Sequence, residues 1–371
     1  MAPVVDLVAG ARPNFIKLAP VERAFRDSGR LTTRIVHTGQ HYDPGMSQVF
    51  FDQLRIPVPD VHLEVGSGSQ GAQTARILER YEAHLLATRP DATVVFGDVN
   101  STAACALAAV KLGVPVVHVE AGLRSFDRTM PEEINRIVTD ALADLLLVSE
   151  PSGMDNLARE GVAAQKVRLV GNVMVDTLLG EVEAARAMRV PAALGLEAGR
   201  FGLVTMHRPS NVDDPRTLGA LFDLLAELAR ELPLVFPAHP RTRAAAAAGG
   251  LMERLSAGDR IRLVEPLSYR ENLGLMAAAA VVLTDSGGMQ EETSVLGVPC
   301  LTLRENTERP ITVERGTSRL VGHDPARIRG AFAEVMSGRW PPSQGIPLWD
   351  GQAAPRVAAA VEGWLREGRG A

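Results

Sequence analysis

Short apolar runs punctuate this chain at intervals of roughly one supersecondary unit. Residues 4–8, 34–37, 93–96, 114–119 and 145–148 are mostly apolar and of strand length. Runs of this kind mark strands buried on both faces of a sheet. Between them, residues 15–26, 71–87, 101–112 and 131–143 carry apolar positions at helical spacing. Strands that alternate with helices predict βαβ units and a parallel sheet. The second half repeats the pattern, with strands at 201–206, 234–237, 260–264, 281–284 and 300–303 and helices at 215–230, 269–278, 289–296 and 325–336. Residues 181–200, rich in Ala, Gly and charge and containing Pro191, read as the helix and linker that join the halves. Residues 244–248 read as part of a surface helix. The expected fold is α/β: two Rossmann-like domains, 1–172 and 173–352, on either side of a central cleft. A last helix within 353–371 could pack back on the first domain.

Length agrees, since 371 residues suit two domains of roughly 100–200 residues each. A net charge of −5 offers no broad basic surface, so no nucleic acid is expected as a partner. No basic region precedes the first apolar stretch, which Asp6 interrupts, so a signal peptide is not expected. The longest plainly apolar run, residues 276–283, is far short of the ~20 residues that span a bilayer. No membrane association and a cytoplasmic location are the expectation. Cys105 and Cys300 lie in apolar surroundings and read as reduced core residues. No Cys/His cluster has metal-ligand spacing, so no metal is expected. Lysine is rare: Lys17, Lys111 and Lys166 stand against 39 − 3 = 36 arginines. A lysine at a loop-to-helix junction therefore invites a specific explanation.

In doubly wound sheets ligands bind beyond the carboxyl ends of the strands, so the residues that follow each strand carry the chemistry. After the first comes Gly10-Ala11-Arg12-Pro13-Asn14-Phe15-Ile16-Lys17, a glycine turn opening a helix, with two cations where free N–H groups favour an anion. It is not G-x-G-x-x-G, so a dinucleotide cofactor is not expected. Asp98 follows the third strand, Glu120 the fourth, and Glu132 opens a helix soon after. Taken singly each acid reads as a helix cap or surface charge. Together on one sheet edge they suit proton transfer, each perturbing the others. In the second half His207 follows the first strand and His239, a weaker signal, the next. Ser286-Gly287-Gly288 at a strand-to-helix junction lets backbone amides approach phosphate oxygens. Glu292 lies one turn further on, where a carboxylate can accept from ribose hydroxyls, and Arg309 adds a cation after another strand.

These motifs, in this order, resemble the non-hydrolysing UDP-N-acetylglucosamine 2-epimerases. The resemblance runs from Gly10-Ala11-Arg12-Pro13 to Val321-Gly322. It includes Thr38-Gly39-Gln40-His41, Gly97-Asp98, His118-Val119-Glu120-Ala121-Gly122-Leu123-Arg124, Pro131-Glu132-Glu133-Ile134-Asn135-Arg136, Val170-Gly171-Asn172, His207-Arg208, Asp285-Ser286-Gly287-Gly288-Met289-Gln290-Glu291-Glu292 and Thr307-Glu308-Arg309-Pro310. It implies the GT-B-like two-domain fold, a homodimer, a UDP-sugar substrate and no organic cofactor. The implied reaction inverts the carbon bearing the acetamido group, by loss of its proton with departure of UDP and re-addition across a glycal. The family's catalytic groups fall on Asp98, Glu120, Glu132 and His207. Its substrate contacts fall on Arg12, Lys17, Arg136, His239, Ser286, Gly287, Gly288, Glu292 and Arg309, and a candidate regulatory site on Gln40, His41 and Arg208. Regulated bacterial members carry basic residues where this chain has Tyr42-Asp43 and within 66–70, so weak or absent activation by substrate is expected. Rival readings are a 2-epimerase of a UDP-2,3-diacetamido uronic acid, a hydrolysing epimerase, a GT-B glycosyltransferase and a catalytically inactive nucleotide-sugar sensor.

Overall fold

A computed structural model describes residues 2–40, 50–252, 254 and 260–368. His41, Tyr42 and Asp43 lie outside the described residues. The chain divides into two compact units, Met1–Thr177 with Pro347–Ala371, and Leu178–Ile346.

The first unit is a seven-stranded sheet of β1 (Val4–Ala9), β2 (Thr32–His37), β3 (Val61–His62), β4 (Ala92–Phe96), β5 (Val116–Ala121), β6 (Leu145–Val148) and β7 (Val167–Leu169), in the order β3-β2-β1-β4-β5-β6-β7. All its described pairings are parallel. Helices α1 (Arg12–Ser28), α2 (Gln70–Thr88), α3 (Asn100–Lys111), α4 (Pro131–Leu142) and α5 (Pro151–Arg159) connect them. The pattern along α1 shows why it forms. Phe15, Leu18, Val21 and Phe25 fall on one buried stripe, Pro13 starts the helix, and Gly29 ends it in the left-handed conformation at φ 63°. Every residue of β4 is buried, since the strand is central and helices cover both faces. Sequence pattern missed β3 and β7, and the last strand of the second unit, β13 (Ser318–Leu320). All three are sheet edges of two or three residues with partly exposed positions, so no continuous apolar run betrays them.

The second unit has the same plan. Strands β8 (Gly202–Thr205), β9 (Leu234–Pro237), β10 (Ile261–Val264), β11 (Val281–Thr284), β12 (Cys300–Thr302) and β13 (Ser318–Leu320) run in the order β10-β9-β8-β11-β12-β13. Helix α6 (Val173–Ala187) crosses the boundary between the units, which falls between Thr177 and Leu178. Then come α7 (Pro215–Leu228), α8 (Pro240–Ala248), α9 (Tyr269–Ala278), α10 (Gly287–Leu296) and α11 (Pro325–Met336). One core cluster is built on Phe222, Phe236 and Phe332, the other on Phe201, Leu273 and Met276. Both cysteines are buried free thiols. Strand order reverses between β1 and β4 in the first unit and between β8 and β11 in the second. Those are the topological switch points at which ligands bind in such sheets.

The chain re-enters the first unit at Pro347. The indole of Trp349 donates to Ser149 O at 3.0 Å, and Asp176 accepts from the backbone of Ala353 and Ala354, capping α12 (Ala353–Gly368). Helix α12 packs on α1. Gly171, at φ 89°, stands so close that a Cβ there would lie 2.2 Å from Leu348 O. Gly171→Ala should therefore destabilise the first unit by at least about 2 kcal/mol, the scale of overpacking at a positive φ. Urea denaturation followed by Trp fluorescence measures it.

Candidate active site

Each switch point gathers residues that the motifs singled out. In the first unit, Gly10 ends β1 against Ser101, whose Oγ would lie 2.1 Å from a Cβ at that position. Asn14 accepts from Gly10 N and Ala11 N and donates to Phe96 O at 2.8 Å, tying the turn after β1 to the end of β4. Arg12 is exposed in the first turn of α1. Lys17, one turn on, is only 4% exposed, and its Nζ lies 2.7 Å from Glu120 Oε1. The anion it meets is thus one of the protein's own carboxylates. Gly97, at φ 63°, makes the room: a Cβ there would lie 2.8 Å from Lys17 Nζ.

Glu120 occupies a bulge. The register between β5 and β6 shifts between Val119 and Ala121, and Glu120 has φ 73°. A non-glycine residue there stores on the order of 1–3 kcal/mol, and such residues cluster at functional sites. The neighbouring acid, Asp98, is positioned by α4. Arg136 Nη2 lies 2.5 Å from Asp98 Oδ2, while its Nη1 donates to Glu133 Oε2 at 2.7 Å. Asn135 donates to Asp98 O at 2.9 Å. Arg136 is buried, with one guanidinium shared between these two carboxylates. Glu132 is half-buried in the first turn of α4. Gln40 accepts from Ser101 N and Oγ at 3.1 and 2.7 Å, at the start of α3, and Gln73 donates to its backbone carbonyl. This candidate regulatory residue thus braces the loop after β2, while its neighbour His41 lies outside the described residues.

In the second unit the centre is Asp285, wholly buried just after β11. It accepts from His207 N at 3.0 Å, Arg208 N at 2.9 Å and Asn211 Nδ2 at 2.9 Å. His207 Nδ1 lies 3.2 Å from Asp285 Oδ1, while its side chain is 43% exposed. The ring of His239 is tilted 5.8 Å from that of His207, and its Nδ1 accepts from Arg241 N at the start of α8. Arg208 donates through Nε to Asp285 O. Ser286 is the N-cap residue of α10, and Gly287 and Gly288 form its first turn. Arg309 rests against that turn, its Nη1 lying 2.7 Å from where a Cβ of Gly287 would be, and is held by Glu291 at 2.5 Å. A helix start with a guanidinium beside it favours an anion. Glu292 is buried and accepts from Tyr269 Oη at 2.9 Å. Burial pushes its pKa up from 4.5 to about 7. Sequence reasoning quoted Asp285 within a motif but gave it no role, and gave none to Tyr269. The place of Asp285 directly after a buried strand is the signal that could have assigned its role. No group of three or more side chains suited to a metal is present among the described residues, and no described helix is long and apolar enough to cross a membrane.

The model of the UDP-N-acetylglucosamine 2-epimerases matches residues 23–362. The chain belongs to that family. It is 40% identical over 337 residues to the UDP-N-acetylglucosamine 2-epimerase of Methanocaldococcus jannaschii, covering 90% of this chain and 92% of that one. It is 42% identical over 354 residues to the UDP-2,3-diacetamido-2,3-dideoxy-D-glucuronate 2-epimerase of Pseudomonas aeruginosa, covering 95% and 97%. The crystal structure of the M. jannaschii UDP-GlcNAc 2-epimerase in complex with UDP-GlcNAc and UDP matches with a TM-score of 0.90 at 38% identity, covering 96% of this chain and 99% of that one. This isomerase family has the GT-B-like two-domain α/β fold, and the two parallel sheets described above are those of the family.

The raised pKa of Glu292 generates a pH prediction. A carboxyl whose folded pKa lies above its unfolded value contributes stability below the unfolded pKa, about 4.5, and loses it as pH rises through about 7. Glu292→Gln keeps an acceptor for Tyr269 and removes the ionisation. The variant should match the wild type near pH 4.5 and exceed it by up to about 3 kcal/mol at pH 8, from about 1.4 kcal/mol for each pKa unit. Denaturant titrations across that range check the sign.

Proposed function

We propose that the protein interconverts UDP-N-acetylglucosamine and UDP-N-acetylmannosamine. The observation that carries this is the buried Lys17–Glu120 pair at the first switch point, with Asp98 held beside it on Gly97. A carboxylate fixed on a strained bulge and matched to a buried cation is suited to taking and returning a proton. Family membership supplies the substrate class. The proton on the carbon bearing the acetamido group leaves to a base, the electron pair forms the double bond of the glycal, and the bond to UDP breaks with its pair on the diphosphate. Re-addition of UDP with protonation of the opposite face gives the epimer. Atoms and electrons balance without an oxidant, and the proposal needs neither cofactor nor metal.

In this reading Asp98, Glu120, Glu132 and His207 handle protons. The diphosphate and nucleoside are held by the Ser286–Gly287–Gly288 turn, Arg309, Arg12, His239 and Glu292. Lys17 and Arg136 act through the carboxylates they hold, and Arg208 through the turn it shares with His207. A cytoplasmic homodimer belongs to the same proposal. General acid–base groups contribute about 10²–10⁴-fold each, so three acids and a histidine are in keeping with a reaction that removes and returns a proton. A second reading, a UDP-2,3-diacetamido uronic acid as substrate, is favoured by the 42% identity to the P. aeruginosa relative. Both substrates undergo the same inversion.

Incubation with each UDP-sugar alone, followed by NMR, separates the readings. Turnover in deuterium oxide is expected to place deuterium on the epimerised carbon, and prolonged incubation to release UDP and the glycal. Epimer without solvent deuterium would refute the elimination. Asp98→Asn and Glu120→Gln should each lower kcat by about two powers of ten or more while changing UDP affinity far less, the signature of a lost acid–base group. Calorimetric titration with UDP measures the second quantity.

A further inference from the structure

Glu120 lies midway between His118 and Gly122, and one buried side chain grips both. Asp140, 2% exposed, projects from α4. Its Oδ1 lies 2.6 Å from His118 Nδ1, and its Oδ2 accepts from Gly122 N at 3.0 Å and from Arg124 Nη1 at 2.7 Å. The other ring nitrogen of His118 donates to Gly97 O at 2.8 Å, one residue before Asp98. We propose that Asp140 is a positioning residue for both acids: it fixes the strained bulge of Glu120 from either side and, through His118, holds the turn that presents Asp98.

The geometry favours this over a purely structural role. Left alone, a residue at φ 73° relaxes towards negative φ, and that motion would carry the Glu120 carboxylate away from Lys17. Relaxation requires His118 and Gly122 to move relative to each other, and a single carboxylate bonded to both forbids it. Asp140 sits four residues after Arg136, so one face of α4 serves Asp98 directly and Glu120 indirectly. Gly122, at φ 80°, is packed against Gly153, whose carbonyl oxygen would lie 2.4 Å from a Cβ, so the far end of the bulge has no slack. Burial alone would raise the Asp140 carboxyl, but His118 and Arg124 hold it below the usual range, so it remains the charged acceptor the clamp needs.

The proposal rests on the epimerase reading, and the test separates the two. Asp140→Asn keeps the shape and sets an amide N–H₂ against donors. Against UDP-N-acetylglucosamine, or the diacetamido uronic acid if that is the substrate, kcat should fall about tenfold or more while KM and the calorimetric Kd for UDP stay within about threefold. Exchange of the C2 proton with deuterium oxide should fall in parallel with kcat. Leu157→Ala, a core truncation in the same unit, supplies a variant of lowered stability, whose kcat should hold. If Asp140→Asn does not fold, His118→Gln replaces it, with the same split expected. Asp140→Asn, or the replacement where it is used, with kcat within twofold of wild type overturns the clamp. So does an equal loss in Leu157→Ala, or failure of both clamp variants to fold. A wild type that neither turns over nor exchanges the proton refutes the epimerase reading itself, and the assignment of Asp140 with it.

Discussion

A lysine that is 4% exposed has to be neutralised where it stands, and this requirement organises the first unit. Lys17 reaches its partner only because Gly97 has no side chain and because β5 bulges at Glu120. The pair is a poor source of stability, since desolvating two charges offsets most of their attraction. Its value lies in what it fixes. With Lys17 held by α1 and Glu120 by β5, the carboxylate has one place to be. The strain at Glu120 is tolerated because the surrounding hydrogen bonds over-determine it, as strained residues at functional sites require.

The second unit solves a related problem with the opposite charge. Asp285 is wholly buried and receives two backbone N–H groups and an amide side chain, so it binds the turn after β8 to the end of β11. The consequence is a histidine whose Nδ1 faces a carboxylate and whose ring is partly open to solvent. The same topology places both arrangements. In each sheet the strand order reverses beside its first strand, the two flanking loops diverge, and the space between their carboxyl ends is lined by backbone not committed to the ladder. A buried charge there can draw on N–H groups that a strand interior would already have used.

The sequence made the central strands and the long helices legible, because burial on both faces leaves an unbroken apolar run such as Ala92–Phe96. It concealed the edge strands β3, β7 and β13, where half the positions answer to solvent. The candidate site was legible to the extent that glycines and charges directly follow strands, as at Gly97-Asp98 and Ser286-Gly287-Gly288. What each charge meets was not legible. Lys17 and Glu120 are 103 residues apart in the chain, and Arg136 and Asp98 are 38 apart. Pairing over such distances is set by helix and sheet packing, and no local pattern encodes it. Asp140 was invisible for a related reason: a carboxylate in the last turn of a helix reads as a solvated face until its neighbours are placed.

The scarcity of lysine acquires a meaning once the packing is known. This chain uses arginine almost everywhere that it needs a cation, yet it keeps lysine at position 17. Arginine presents a planar fork that suits two-point pairing, as Arg136 shows by bonding Asp98 and Glu133 together. Lys17 sits close against the turn, its Nζ 2.8 Å from where a Cβ of Gly97 would be, and it pairs with one oxygen of Glu120. A compact point charge on a flexible stem suits a single-oxygen partner, where a planar fork is made for two. The cation at position 17 thus matches the geometry of the acid it meets.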